Sequence, residues 1–288
     1  MPRPDNAVLA LELEAAGPAA GAVPATVAVI GGRVRVGLAE GELQALAASE
    51  AVAKCTTRDL PLVLAGGGLG ATTVAATIFT AARVGIAVMA TGGLGGVHQG
   101  GERSLDVSAD LEELARTPVA VVCSGVKSIL DQRRTLERLE TLGVLVVGFG
   151  CRELPGFYTS ETGLLVPPIA DLGALCRVVL AQRALGLPGG MVVAQPAPAD
   201  LALTRAAVDD LVGAAREAAR RAGIVGPAQT PFLLRHMAEA SRGATVRLNR
   251  ALVLSNAHLA GRLAVALAGG APRDETALDG FATAGPSW

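Results

Sequence analysis

Val119-Ala-Val-Val-Cys123-Ser-Gly-Val-Lys127 is the stretch that decides the fold. Five apolar residues follow one another with no polar alternation, which is the pattern of a strand buried on both faces. Pro118 closes whatever helix precedes it, and Ser124-Gly125 supplies a sharp turn at the strand's end. The chain leaves that turn through a lysine. Working outward, apolar runs also occur at Ile86 to Ala90, Val144 to Phe149 and Met191 to Ala194. Between them lie segments of helical periodicity: Ala71 to Val84, Ser108 to Arg116, Ser128 to Thr141 and Asp171 to Leu185. Strands that alternate with helices in this way define an α/β class with a mainly parallel sheet covered on both faces.

Upstream, the first 20 residues read as an alanine-rich helix with Glu12 and Glu14 on its polar side. Ala25 to Ile30, Gly31-Gly32 and the alternating Arg33 to Val36 predict a short β-hairpin. Glu40 to Ala53 is expected to be a helix and Leu60 to Ala65 a strand. Downstream, Leu201 to Gly223 and Phe232 to Ala268 predict a helical C-terminal layer. Residues 269–288 lack periodicity and read as a flexible tail behind one domain spanning 1–268.

Composition narrows the function classes. The 288 residues are 51% hydrophobic and 18% charged, enough for a large core, and only 2% aromatic, so that core is aliphatic. A net charge of -1, without a basic stripe, argues against nucleic acid as a partner. Four cysteines, widely spaced and without a C-x-x-C pair, read as reduced cytosolic thiols. Leu60 to Ala82 carries no charge and has the length of a membrane span. Its Pro61, Gly66-Gly67-Gly68 and Thr72-Thr73 suit a buried strand, loop and helix instead, and no signal-peptide core precedes them. The expectation is a soluble, cytoplasmic protein with no membrane partner.

Of 25 basic residues only two are lysines, Lys54 and Lys127; the other 23 are arginines. On a solvated surface the two side chains are nearly interchangeable. They are not where an amine must lose its proton and attack carbon. Lys127, at the carboxyl end of a strand, is therefore a candidate nucleophile; the alternative is a first-turn helix residue reaching to solvent. Lys54, in a loop with Arg58, suits a phosphate-bearing ligand or a solvated loop equally. Thr91 to Gly96 is glycine-rich and offers either a phosphate nest or a close-packing turn. Asp106-Val-Ser108-Ala-Asp110 offers either helix caps or a carboxylate for a hard, water-carrying cation. His98 and Asn249 are isolated polar residues whose ordinary use is structural.

Several longer segments, read together, resemble the pseudouridine-5′-phosphate glycosidase (pseudouridylate synthase) family. They are Gly21-Ala-Val-Pro-Ala-Thr-Val-Ala-Val-Ile-Gly-Gly32, Arg58-Asp-Leu-Pro61 and Gly70-Ala-Thr-Thr-Val-Ala-Ala-Thr77. Ala90-Thr-Gly-Gly-Leu-Gly-Gly-Val-His98, Asp106-Val-Ser-Ala-Asp-Leu-Glu-Glu-Leu114 and Val121-Val-Cys-Ser-Gly-Val-Lys-Ser-Ile-Leu-Asp131 continue the series. Thr135-Leu-Glu-Arg-Leu-Glu-Thr141 and Thr230-Pro-Phe-Leu-Leu234 complete it, collinear from about Pro2 to Ala266.

The resemblance implies a single three-layer α/β/α domain, a homotrimer and a divalent metal, typically manganese. The implied reaction is reversible cleavage of the C–C glycosidic bond of pseudouridine 5′-phosphate to uracil and ribose 5-phosphate, with Lys127 forming an imine at C1′. It implies Lys54, Val74, Ser108, Ala109, Asp110 and Asn249 as substrate contacts and Asp106 as the metal's carboxylate. Members of the family carry, ahead of the segment matched by Met1-Pro-Arg-Pro-Asp-Asn6, a strand with an acid/base glutamate, for which this sequence has no counterpart. Two expectations follow: a start placed downstream of the natural one, or a sugar-phosphate-binding paralogue without catalysis. Gln99 replaces the family's usual arginine, and Cys55-Thr56-Thr57 replaces a segment with serine and a second arginine.

Overall fold

A computed structural model describes residues 5–269. The expected tail, apart from Gly269, lies outside the described residues, as does the very start of the chain.

The central layer is a five-stranded sheet, every neighbouring pair parallel, in the order β5 (Val88–Ala90), β6 (Ala120–Cys123), β9 (Met191–Ala194), β7 (Leu145–Phe149), β8 (Pro168–Ile169). Its two middle strands, β6 and β9, are buried at every position. Successive side chains point to opposite faces of a strand, and the core divides accordingly. Val121, Cys123, Val192 and Ala194 join one apolar cluster, while Ala120, Val122, Met191 and Val193 join another. The first cluster is closed by α4 (Val74–Arg83), α6 (Ala109–Arg116), α9 (Arg205–Arg221) and α10 (Gln229–Ala240). The second is closed by α8 (Leu172–Ala184) and the C-terminal half of α11 (Ala244–Ala268). This is the three-layer α/β/α arrangement expected, with helices at its C-terminal end.

A second, smaller sheet goes beyond the hairpin that the sequence predicts. Its order is β2 (Arg33–Val36), β1 (Val27–Ile30), β4 (Leu69–Thr72), β3 (Val52–Cys55). The expected hairpin is present, with Gly31 and Gly32 both at positive φ. Two-residue turns of that kind match the twist of the strands they join. β1 also pairs antiparallel with β4, and β4 pairs parallel with β3.

The segment from Leu60 to Ala65, expected to be a strand, is instead a helix, α3 (Leu60–Ala65), and the strand comes after it, as β4. The reason is local. Pro61 sits in the first turn, where its missing N–H costs nothing, and Gly67 at φ 64° ends the element. Asp59 accepts from both the backbone and the hydroxyl of Thr56 and so fixes the entry turn. The charge-free stretch is thus helix, strand and helix rather than a span. Among the described residues α11 has the length and hydropathy to cross a membrane, but Leu248, Leu252, Leu259 and Leu263 form a buried stripe within the core.

Further boundaries differ from expectation. The helix expected over 40–53 ends at Ala48, with Val52 and Ala53 in β3, and the one expected over 71–84 starts at Val74, with Ala71 and Thr72 in β4. α7 (Gln132–Thr141) begins at Gln132 rather than Ser128, because the Asp131 side chain accepts from Arg134 N–H and caps it. The C-terminal run from Phe232 is two helices, α10 and α11, divided by a turn in which Arg242 and Gly243 both have positive φ. In α1 (Asp5–Ala19) the two glutamates are engaged rather than free: Glu12 pairs with Arg250 of α11, and Glu14 accepts from the Thr26 hydroxyl.

Candidate active site

The site forms at the carboxyl ends of β5 and β6, where parallel sheets collect ligands. The two strands continue to pair after they end. Thr91 N–H donates to Val122 O, Ser124 N–H to Gly92 O, Leu94 N–H to Gly125 O and Lys127 N–H to Leu94 O. Lys127 is therefore held by backbone on a rigid double turn. It lies five residues ahead of α7, so it is not the first-turn helix residue that the sequence left as an alternative. Gly125 is obligatory there: its φ is 80°, and a Cβ would lie 1.9 Å from Pro155 O.

Lys127 is half-buried, and its amine is pushed below the ordinary lysine pKa. Desolvation is the leading cause, since burial penalises the charged form. The positive charge of Lys54 pushes the same way, while the Asp110 carboxylate opposes. Below the lysine lies Cys123, fully buried, its thiol pushed up to about 12 by desolvation and hence inert. Both lysines of the chain thus lie within electrostatic reach of one another. Lys54, exposed, stands on β3, an edge strand of the small sheet, and not in a loop as the sequence suggested. A charged side chain on an edge strand is ordinary.

Asp110 joins the pieces. It is buried, and its two oxygens accept from Ala75 N–H and Gly95 N–H, both at 2.9 Å. One carboxylate thus ties the start of α4, next to Val74, to the glycine-rich turn after β5. Ser108 caps α6 by accepting from Asp110 N–H, and its own N–H donates to Gly96 O. Ala109 is the first, exposed residue of α6.

The glycines of Thr91 to Gly96 serve close packing. A Cβ on Gly95 would meet Ser108 Oγ at 2.2 Å, one on Gly96 Thr135 Oγ1 at 2.3 Å, and one on Gly93 the Phe157 ring at 2.5 Å. Two backbone donors of the segment are spent internally, Gly95 on Asp110 and Leu94 on Gly125 O. On Gly92 a Cβ would lie 3.1 Å from Asn249 Oδ1, which places that α11 side chain over the turn.

Asp106 stands to one side. Its half-exposed carboxylate lies 3.9 Å from His98 Nδ1, and His98 N–H donates to Asp106 O. Among the described residues no group of three His, Cys, Asp or Glu side chains is placed to hold a metal. One carboxylate in contact with solvent fits a hard cation that keeps most of its water, and does not fit one caged by protein.

Two contributors were not legible in the sequence. Asn256, fully buried on α11, donates to Thr91 O at 2.9 Å and to Ser124 Oγ at 3.1 Å. Phe157, at φ 69°, packs its ring on Gly92 and Gly93 while its N–H donates to Ser124 O. Neither stands in a motif. A non-glycine residue at positive φ has no sequence signature, and Asn256 looks like any polar residue of a long helix.

An α/β/α protein with a lysine at a strand's carboxyl end is what this fold and site define. Residues 1–266 match the indigoidine synthase A-like protein family. A pseudouridine-5′-phosphate glycosidase of Caldanaerobacter subterraneus subsp. tengcongensis is 47% identical over 268 residues, 93% of this chain and 87% of the relative. One of Salinispora tropica is 50% identical over 270 residues, 93% of this chain and 83% of the relative. The chain therefore belongs to the indigoidine synthase A-like family, among the pseudouridine-5′-phosphate glycosidases. Two solved structures share the fold. The prealnumycin C-glycosynthase AlnA in complex with ribulose 5-phosphate superposes with a TM-score of 0.87 at 39% identity, covering 93% of this chain and 88% of the other. An indigoidine synthase A-like protein from Thermotoga maritima gives 0.85 at 34%, covering 92% and 88%.

Proposed function

We propose that this protein cleaves and forms the C–C glycosidic bond of pseudouridine 5′-phosphate through an imine on Lys127. The observation that carries the reading is the Lys127 amine itself, rigidly placed and depressed in pKa by burial and by Lys54. In the direction of synthesis, neutral Nζ attacks the C1′ aldehyde of open-chain ribose 5-phosphate and water leaves, giving an imine. Once protonated, that imine accepts the electron pair from uracil C5, the C1′–C5 bond forms and C5 gives up its proton. The 4′-hydroxyl oxygen then displaces Nζ from C1′, closing the ribose ring and freeing the lysine. Cleavage is the reverse: Nζ displaces the ring oxygen from C1′, the C1′–C5 pair returns to C5, which takes a proton, and water hydrolyses the imine to release ribose 5-phosphate. The protonated imine is the electron sink when the bond forms; when it breaks, the Nζ lone pair drives the bonding pair onto C5 and the imine is left on the lysine.

Lys54 supplies the compact charge suited to the phosphate. Val74, Ser108 and Ala109 line the sugar-phosphate site from the helix starts of α4 and α6, and Asn249 closes it from α11. Asp110, whose oxygens already accept backbone donors, contributes charge and shape rather than free acceptors. Asp106 would hold a divalent cation, manganese on the family's pattern, through its water shell. Bound there, the cation would add positive charge beside the sugar-phosphate. A homotrimer in the cytoplasm completes the reading.

The test is twofold. Purified protein with manganese should release uracil from pseudouridine 5′-phosphate, and borohydride should trap a ribose 5-phosphate adduct on Lys127, seen by peptide mass spectrometry. Binding of ribose 5-phosphate without uracil release or adduct would instead indicate a non-catalytic sugar-phosphate binder. Loss of the adduct in Lys127→Arg, with the fold retained, separates chemistry from binding.

A further inference from the structure

The buried stripe of α11 reads Thr245, Leu248, Leu252, Asn256, Leu259, Leu263. Leucine at the fourth place would continue the pattern and avoid the cost of burying an amide. The amide is instead held by two particular partners. Its Nδ2 donates to Thr91 O at 2.9 Å and to Ser124 Oγ at 3.1 Å. Thr91 is the first residue after β5 and Ser124 the first after β6. One side chain therefore bridges the two turns that carry the glycine segment and Lys127. Ser124 is gripped on its other side as well, by the N–H of Phe157 at its unfavourable φ. A segment fixed from both flanks in this way has little freedom to displace an amine three residues on.

We propose that Asn256 is a positioning residue for Lys127, locking the turns after β5 and β6 so that the amine stands at one place. The inference rests on the reading of Lys127 as nucleophile and deepens it. It makes the C-terminal helix part of the machinery rather than a cover. Small displacements of a reacting atom are costly, and an error of ~1 Å can lower a rate ~100-fold.

Asn256→Leu removes the bridge while keeping the stripe apolar. Its kcat should fall ~30-fold with KM within ~3-fold of the parent, since binding groups are untouched and geometry is not. A second readout needs no turnover. With only two lysines in the chain, competitive acetylation by acetic anhydride, followed by peptide mass spectrometry, gives the pH profile of each. In Asn256→Leu the Lys127 profile should move up toward that of an ordinary lysine as water gains access, with Lys54 unchanged. Leu263→Ala, on the same stripe but away from the turns, should lose thermal stability with kcat and the Lys127 profile unchanged. Should Asn256→Leu not fold, Ser124→Ala removes one arm of the bridge and should lower kcat ~5-fold. Parent-like kcat and Lys127 profile in a folded Asn256→Leu, or in Ser124→Ala, would overturn the proposal. Failure of the parent to release uracil would instead sink the assigned reaction, while the acetylation profiles still decide whether Asn256 places the amine.

Discussion

A lysine amine attacks carbon only when its surroundings hold its proton off. At Lys127 desolvation leads in lowering the pKa, Lys54 adds to it and Asp110 resists. The acidic limb of the pH–rate profile should therefore fall below the ordinary lysine value of 10.5, activity rising with pH through it. Lys54→Gln should move that limb upward and raise KM for the phosphorylated substrate at least ~10-fold, as steady-state kinetics across pH would show. The same shift bears on stability. A folded-state pKa below the unfolded one means that the unfolded chain binds more protons between the two values, so stability rises with pH across that window. Lys127→Met should consequently melt higher than the parent at neutral pH, with the gain shrinking as pH approaches 10.5. An equal gain at every pH would show that the amine carries no such penalty.

At the scale of elements, the site depends on backbones brought closer than side chains allow. Gly125→Ala combines a positive φ with a carbonyl at 1.9 Å from the new Cβ, and Gly95→Ala forces a methyl onto Ser108 and Asp110. Each should cost about 3 kcal/mol or more in chemical denaturation and abolish the borohydride adduct. A second joint lies between α6 and the loop after β3. Glu113, buried, accepts from Thr57, Arg116 and Thr117. Burial alone would raise its pKa, but those hydrogen bonds and the Arg116 charge leave it below the ordinary carboxylate value. Its stabilisation is therefore present above the unfolded pKa and is lost as pH falls through the lowered one. Glu113→Ala, which orphans both hydroxyls, should cost about 2–3 kcal/mol, read from urea unfolding at pH 7.

On the scale of the molecule, α4 joins what would otherwise be two sheets. Ala76 of α4 packs with Val29, Cys55 and Leu60 against the small sheet, while Val74, Ile78 and Ala81 enter the main core. The charge of Lys54 bears on Lys127 only because of that junction. Hydrogen exchange should accordingly show β4, α4 and β6 amides sharing one slow, global opening; early exchange confined to β1–β4 would mean that the small sheet opens alone.

Much of this architecture is legible along the chain. Apolar runs without alternation require a strand buried on both faces, and helical periods between them require parallel crossovers, because local sequence fixes which groups must escape water. The scarcity of lysine singles out both cationic residues of the site. Pro61 and the glycines after it spell a helix at Leu60 to Ala65, a local signal that apolar composition masks. The remainder is not written in any one segment. Which strand lies beside which, that Asp110 spends both oxygens on the starts of distant elements, and that Asn256 holds two turns more than 130 residues away are matters of long-range packing. So is the depressed pKa of Lys127. The sequence singles out the amine, but only the assembled protein excludes the water and sets the neighbouring charge that lower its pKa.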